Sequence, residues 1–266
     1  MRVPSPLCFF LLVFLLIPAC CWNAHAQAEY NPLVYEEFRV EVALKQDGSA
    51  VFTVHATLRN DGRVPVVPGY GVLAINCYRQ RRLLMLPLPG AEEGAPEVKI
   101  LRAEDVTRGT KIEAVPIEEN ESISIRYTLW QPLRPGQRVE FELSFEIADV
   151  VASGILFNEF SAAVGPFSSR IESGFVRVVP QPGARVVYAS PSPSSHSDTV
   201  SWDLSGVSEG ESFTFWVETS VLPLPLLPVK GYILVWSLLL LVLICLTTSR
   251  VLRRETRAGR TKRLRR

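Results

Sequence analysis

Chemistry needs side chains that titrate, attack or coordinate, and few are placed to do so here. Beyond residue 26 the chain holds two histidines, His55 and His196. His55 alternates with Thr53 and Thr57 on what reads as the wet face of a strand, and His196 lies in the Ser/Pro run Pro191–Ser197. A zinc site draws three or four His, Cys or acidic ligands at tight spacing, and the sequence offers no such cluster. Cys77 would act as a nucleophile only with a histidine brought to it by the fold. Set between Ile75 and Tyr78, it reads instead as a small buried side chain. Carboxylates are plentiful: Glu36-Glu37, Glu92-Glu93, Glu118-Glu119 with Glu121, and Glu140, Glu142 and Glu146. Glycoside hydrolysis requires two of them facing each other across a cleft. These alternate along strands or crowd turns, the pattern that keeps a sheet's outer face soluble. There is no phosphate-cradling Gly-rich loop and no Asp/Asn-rich calcium loop. No catalytic residue, metal or cofactor is expected, and the chain reads as a non-enzyme.

Two features remain that could meet a partner. Arg79, Arg81 and Arg82 adjoin Leu83-Leu84-Met85-Leu86, and arginine and methionine are both enriched at interfaces. They form a candidate docking patch, set against the plainer reading of a solvated loop beside a core strand. Asn120-Glu121-Ser122 is a glycosylation sequon in a turn before a strand, so Asn120 is a candidate modification site.

The ends of the chain predict where these residues sit. After Arg2, Leu7–Ile17 is an uninterrupted apolar run of 11 residues, followed by Ala24-His25-Ala26. A positive start, a short apolar core and a small-x-small end predict a signal peptide over 1–26. Cys20 follows Ile17-Pro18-Ala19 as a lipidation site would, although Pro18 departs from that pattern. Residues 231–248 are 18 uncharged, Leu-rich positions, about 27 Å of helix and close to a bilayer's hydrocarbon thickness. Tyr232 and Trp236 lie toward the outer end, where amphipathic rings prefer the interface. Arg250, Arg253 and Arg254 begin a tail, 249–266, with nine cations against Glu255. Such a tail predicts a single-pass plasma-membrane protein with its N-terminus outside and its C-terminus in the cytoplasm.

The overall charge of +1 conceals this asymmetry. Residues 27–229 carry 17 basic and 26 acidic side chains, a net −9. Nucleic acid is therefore not an expected partner; the bilayer is, with some attraction of anionic lipid to the tail. Between residue 26 and the second apolar run only Cys77 occurs, so no internal disulfide can form there. That leans toward a prokaryotic, including archaeal, cell surface, with stability drawn from a core that about 200 residues can supply.

Period-2 alternation then predicts an all-β region. Val139, Phe141, Leu143, Phe145 and Ile147 share one face, and Arg138, Glu140, Glu142, Ser144 and Glu146 the other. Ile123, Ile125, Tyr127 and Leu129 repeat the pattern. Phe38–Leu44 and Phe52–Leu58 flank Asp47-Gly48, a hairpin signal. Further strands are expected near 97–102, 111–117, 154–160, 174–180, 185–189, 199–203 and 211–219. Residues 133–143 and 207–217 match in apolar pattern and glycine position, which predicts two β-sandwich units over 27–150 and 151–222, a single larger sandwich being the alternative. Prolines at 223, 225 and 228 predict a stiff extended stalk over 223–230, its leucines on the membrane or against the β-region.

Val54-His55-Ala56-Thr57-Leu58-Arg59-Asn60-Asp61-Gly62, a strand running into an Asn-x-Gly corner, and the two Gly-launched strands at 133–143 and 207–217 resemble the immunoglobulin-like surface modules of bacteria and archaea. The family's long β-run is interrupted here by Arg79–Arg82 and Pro87–Pro96. The resemblance implies one or two immunoglobulin-like sandwiches serving adhesion, envelope architecture or subunit docking. The expected function is a membrane-anchored, extracytoplasmic binding or assembly module, its partner an envelope protein or glycan. An accessory subunit of a membrane enzyme or transporter is the alternative, and an envelope hydrolase comes last.

Overall fold

Strands dominate the computed structural model. It describes residues 31–77, 82–83, 86–87, 97–119, 122–154 and 156–263, by backbone alone at 82–83, 86–87, 118–119, 122, 196, 232 and 251–263. The expected signal segment 1–26, Arg79, Arg81 and Asn120 lie outside the described residues.

The hairpin expected at Asp47-Gly48 joins β1 (Leu33–Leu44) to β2 (Ala50–Asn60). Gly48 takes the left-handed φ of +85° that such a turn favours, and the Lys45 and Ser49 backbones close it. Next come β3 (Gly69–Cys77), two short strands, β4 (Arg82–Leu83) and β5 (Leu86–Pro87), and then β6 (Val98–Asp105), β7 (Thr110–Lys111) and β8 (Ala114–Glu119). The alternating runs form β9 (Ser122–Leu129) and β10 (Arg138–Ile147). After them lie β11 (Val151–Ala152), β12 (Asn158–Val164), β13 (Gly174–Val179), β14 (Arg185–Ser190), β15 (Ser195–His196), β16 (Val200–Asp203) and β17 (Phe213–Ser220).

Two large sheets share one apolar core. The first runs β15-β16-β13-β1-β2-β10-β6-β7, and the second β14-β17-β12-β3-β9-β8, with β11 paired to β12. The inward residues read from the sequence are the buried ones: Phe38, Val40, Val42 and Leu44; Phe52, Val54, Ala56 and Leu58; Ile123, Ile125, Tyr127 and Leu129; and the five of β10. Phe52 stacks on Phe145 within the first sheet at 5.3 Å and meets Phe160 of the second at 6.2 Å. The Tyr35 and Tyr127 hydroxyls hydrogen-bond across the layers at 3.0 Å. Burial of both rings calls for such a partner, and burial, foremost, together with the Tyr35 contact, drives the Tyr127 hydroxyl well above the ordinary tyrosine pKa.

The division expected at residue 150 does not follow the strand pairing. β1 pairs with β13 in parallel over Phe38–Ala43, and β12 pairs with β3. Strands from both sides of residue 150 thus occupy both sheets, and Leu33–Arg266 forms one compact unit. The repeat that suggested two units is a repeat of turns. Gly136 and Gly210 both adopt positive φ, and the following Gln137 and Glu211 side chains accept the Arg134 and Ser208 backbone N–H groups at 3.0 and 2.7 Å. The strands so launched, β10 and β17, belong to different sheets.

β3 was not expected from the sequence, because Gly69 and Gly71 dilute its alternation. Gly71 is required by packing: a Cβ there would run into the Tyr127 ring. The strand expected over 111–117 is split into β7 and β8, and the one near 154–160 begins at Asn158.

One helix, α1 (Gly231–Arg263), follows the sheets. Its stretch Ile233–Arg250 is long and apolar enough to cross a membrane, and none of that stretch is buried. The helix runs past the expected boundary at 248 because Leu, Arg, Lys, Glu and Ala, all good helix formers, continue without a proline.

Phe145 is fully buried. Phe145→Ala is expected to lower unfolding stability by about 3–5 kcal/mol through transfer and cavity terms, read as a fall in the denaturation midpoint. A midpoint within experimental error of the parent would place Phe145 outside the core.

Candidate functional site

On the outer face of the first sheet, described carboxylates meet cations rather than each other across a cleft. Glu142 lies 3.0 Å from Arg102 and 3.5 Å from His55 Nδ1. Glu36 pairs with Arg138 at 2.8 Å, Glu172 with Arg59 at 2.9 Å, and Glu37 with Arg39. Glu146 accepts from Lys45 Nζ at 2.6 Å and from the Ser49 hydroxyl at 2.9 Å. The Lys45 bond, then the Ser49 bond, hold the Glu146 carboxyl below its ordinary value. Ser49 does the same for Asp47. Among the described residues no group of three or more His, Cys, Asp or Glu is arranged to hold a metal ion. Cys77 is partly buried against the core.

The other expected residues scatter. Arg82 falls in β4 and His196 in β15, both known by backbone alone. Trp236, 43% exposed, and Arg250 lie on α1. Tyr232, Arg253 and Arg254 are helical by backbone, their side chains outside the described residues. Among the described residues nothing gathers these into one site.

Two arrangements that sequence reasoning missed stand out instead. One joins the sheets to the helix. Glu159 on β12 and Glu218 on β17 are directly opposed partners, 6% and 1% exposed. Buried carboxylates need cations or donors close by. The Lys230 ammonium lies 3.9 Å from Glu159 Oε1 and stands over the Trp216 ring. The Gly231 N–H donates to Glu218 Oε2 at 2.6 Å, placing an acid at the positive end of α1. A Cβ at Gly231 would displace the Phe157 ring. The expected stalk does not stand free: the Leu227 N–H donates to the Val187 carbonyl at 2.5 Å, within reach of β14. In the sequence Glu218 alternates with Thr214 and Trp216 along Phe213–Ser220, and alternation cannot report what later covers a face.

The second arrangement is a groove of about 1020 Å³ between the β6–β7 turn and the β9–β10 loop. Arg108, Lys111, Arg134, Trp130, Gln131 and Gln137 line it. Its walls are tight turns. Buried Asp105 accepts the Arg108 N–H at 3.2 Å, and Gly109 and Gly136 adopt positive φ with open space where a Cβ would sit. Trp130 is 59% exposed and forms a T-shaped pair with Tyr70 at 4.8 Å, and the Arg126 guanidinium lies over the Tyr70 ring at 5.5 Å.

No protein-family model matches this chain. An uncharacterised protein of Methanocaldococcus jannaschii is 28% identical over 131 residues, 49% of this chain and 89% of that one. Among solved structures, an M1 zinc metallopeptidase of Deinococcus radiodurans aligns with 71% of this chain at 13% identity and a TM-score of 0.39. The leukotriene A4 hydrolase of Saccharomyces cerevisiae aligns with 76% at 7% identity and 0.44. The chain spans 43% and 33% of their respective lengths.

Two outcomes test the geometry. Ser49→Ala is expected to raise the Glu146 and Asp47 pKa values toward ordinary carboxylate values in a side-chain NMR titration; unchanged values would remove the serine as their cause. Because both folded pKa values are depressed, the stability these groups contribute is present above the unfolded carboxylate pKa and is lost as pH falls through the lower folded ones. Glu218→Ala is expected to speed amide exchange at Gly231 and proteolysis within 221–230. Exchange as slow as in the parent would show that the acid does not hold the junction.

Proposed function

We propose that this chain is a membrane-tethered, extracytoplasmic binding or assembly module of the cell envelope, without catalytic activity of its own, built as an immunoglobulin-like β-sandwich. The observation that carries the reading is the junction at Lys230-Gly231, where a body of strands is seated on a helix whose residues 233–249 are uncharged, Leu-rich and unburied. A soluble protein leaves no such helix in water, since each exposed leucine forgoes about 1.5–3 kcal/mol of burial. Nine cations after the span support a plasma-membrane orientation with the body outside and the basic tail in the cytoplasm. The bilayer is then one partner, and an envelope protein or glycan the other. The paired and solvated carboxylates support the non-catalytic reading.

Protease added to intact cells is expected to remove the β-body and to leave a membrane-bound fragment containing α1. Full protection of the body until the cells are lysed would overturn this reading.

A further inference from the structure

Several cations of the β-body are spoken for. Arg39, Lys45, Arg59, Arg102, Arg138, Arg170 and Arg177 each sit within 4.0 Å of a carboxylate. Arg108, Lys111 and Arg134 form no ion pair among the described residues, and all three line the one groove that also exposes Trp130. Asp105 and Glu113 line the same groove, which therefore gathers three cations against two acids beside an exposed indole, in a segment of net charge −9.

Resting on the binding-module reading above, we infer that this groove binds an acidic saccharide, a short sugar chain bearing carboxylates such as uronic acids. Each feature answers a part of that chemistry. Arg108, Lys111 and Arg134 offer donors to carboxylates, and charge-assisted hydrogen bonds are the stronger kind. The Gln131 and Gln137 amides match hydroxyls, which both give and accept. The Trp130 face suits the C–H surface of a pyranose ring, which an extended acidic peptide does not present. The volume falls at the upper end of ordinary ligand pockets, about 300–1000 Å³, enough for several sugar rings. The acidity of the rest of the body does not forbid an anion here. Exposed charges beyond a Debye length, about 8 Å at physiological ionic strength, are largely screened, so the groove's own lining, three cations against Glu113 and the buried Asp105, sets the local field. The groove is also pre-formed: its walls are closed by backbone and side-chain hydrogen bonds within the β6–β7 turn and within the Arg134–Gln137 turn. Little ordering is left to oppose binding.

The test is calorimetric titration of the full-length protein in detergent with trigalacturonate, maltotriose and hexaglutamate. Trigalacturonate is expected to bind, weakening as salt rises, and to bind at least about tenfold more tightly than maltotriose, the size of one lost charge-assisted contact or more. Lys111→Ala with Arg134→Ala should weaken trigalacturonate about tenfold or more. Trp130→Ala, at an exposed position that leaves the melting temperature unchanged, should weaken trigalacturonate but not any residual binding of hexaglutamate. Absence of trigalacturonate binding, equal affinity for maltotriose or hexaglutamate, or indifference to Trp130→Ala would each overturn the inference. Should titration fail while intact cells still yield the body to protease, only the saccharide is lost; protection of the body on intact cells sinks the parent reading instead.

Discussion

Everything in the β-body hangs on what β1 must satisfy. Its backbone is hydrogen-bonded on both sides, antiparallel to β2 and parallel to β13. Its inward side chains, Phe38, Val40, Val42 and Leu44, lie at the centre of the shared core. A parallel partner cannot come from a tight turn, and the chain lays down β3, β8, β9 and β12 of the second sheet before β13 arrives. That one pairing obliges residues 33–147 and 158–220 to fold together, and it explains why neither half owns a core. The Tyr35–Tyr127 hydroxyl pair extends the same strand's reach into the opposite layer.

Charge is handled differently inside and outside this frame. On the outer face, acids and bases alternate in exposed pairs that contribute little individually. At the helix junction two carboxylates are buried opposite each other, and there the partners are fixed: a lysine ammonium and a backbone N–H at the start of α1. Removing one partner of such a buried set costs far more than removing a surface pair. Junction and surface therefore answer to different rules although both are built from glutamates.

The sequence made the strands legible wherever alternation was clean. β1, β2, β9 and β10 bury the residues their spacing assigns, and the Asp47-Gly48 turn falls where its chemistry demands. It failed where a residue's reason lies far away in the chain. Gly71 looks like a strand breaker until Tyr127 is beside it. Glu218 looks outward-facing until Gly231 covers it. The matching turns at Gly136 and Gly210 are a true local resemblance, correctly seen, but topology distributes their strands to separate sheets. The groove was invisible for the same reason: Arg108, Lys111 and Arg134 are unremarkable apart, and only the β6–β7 turn set against the β9–β10 loop makes them neighbours. Glu140, Glu142 and Glu146 were legible as outward residues because they lie on the polar side of the alternation in β10.

The docking of Leu227 and Gly231 against the strands has a mechanical corollary. A globe on a flexible string swivels, sampling a hemisphere and meeting its target at any heading. A globe bolted to its mast does neither. With α1 upright in lipid, every copy would hold the same tilt and differ from its neighbours only by spin about the membrane normal. Encounters would become a two-dimensional problem at constant height, in which lateral diffusion rather than tumbling brings a binding face round to its target.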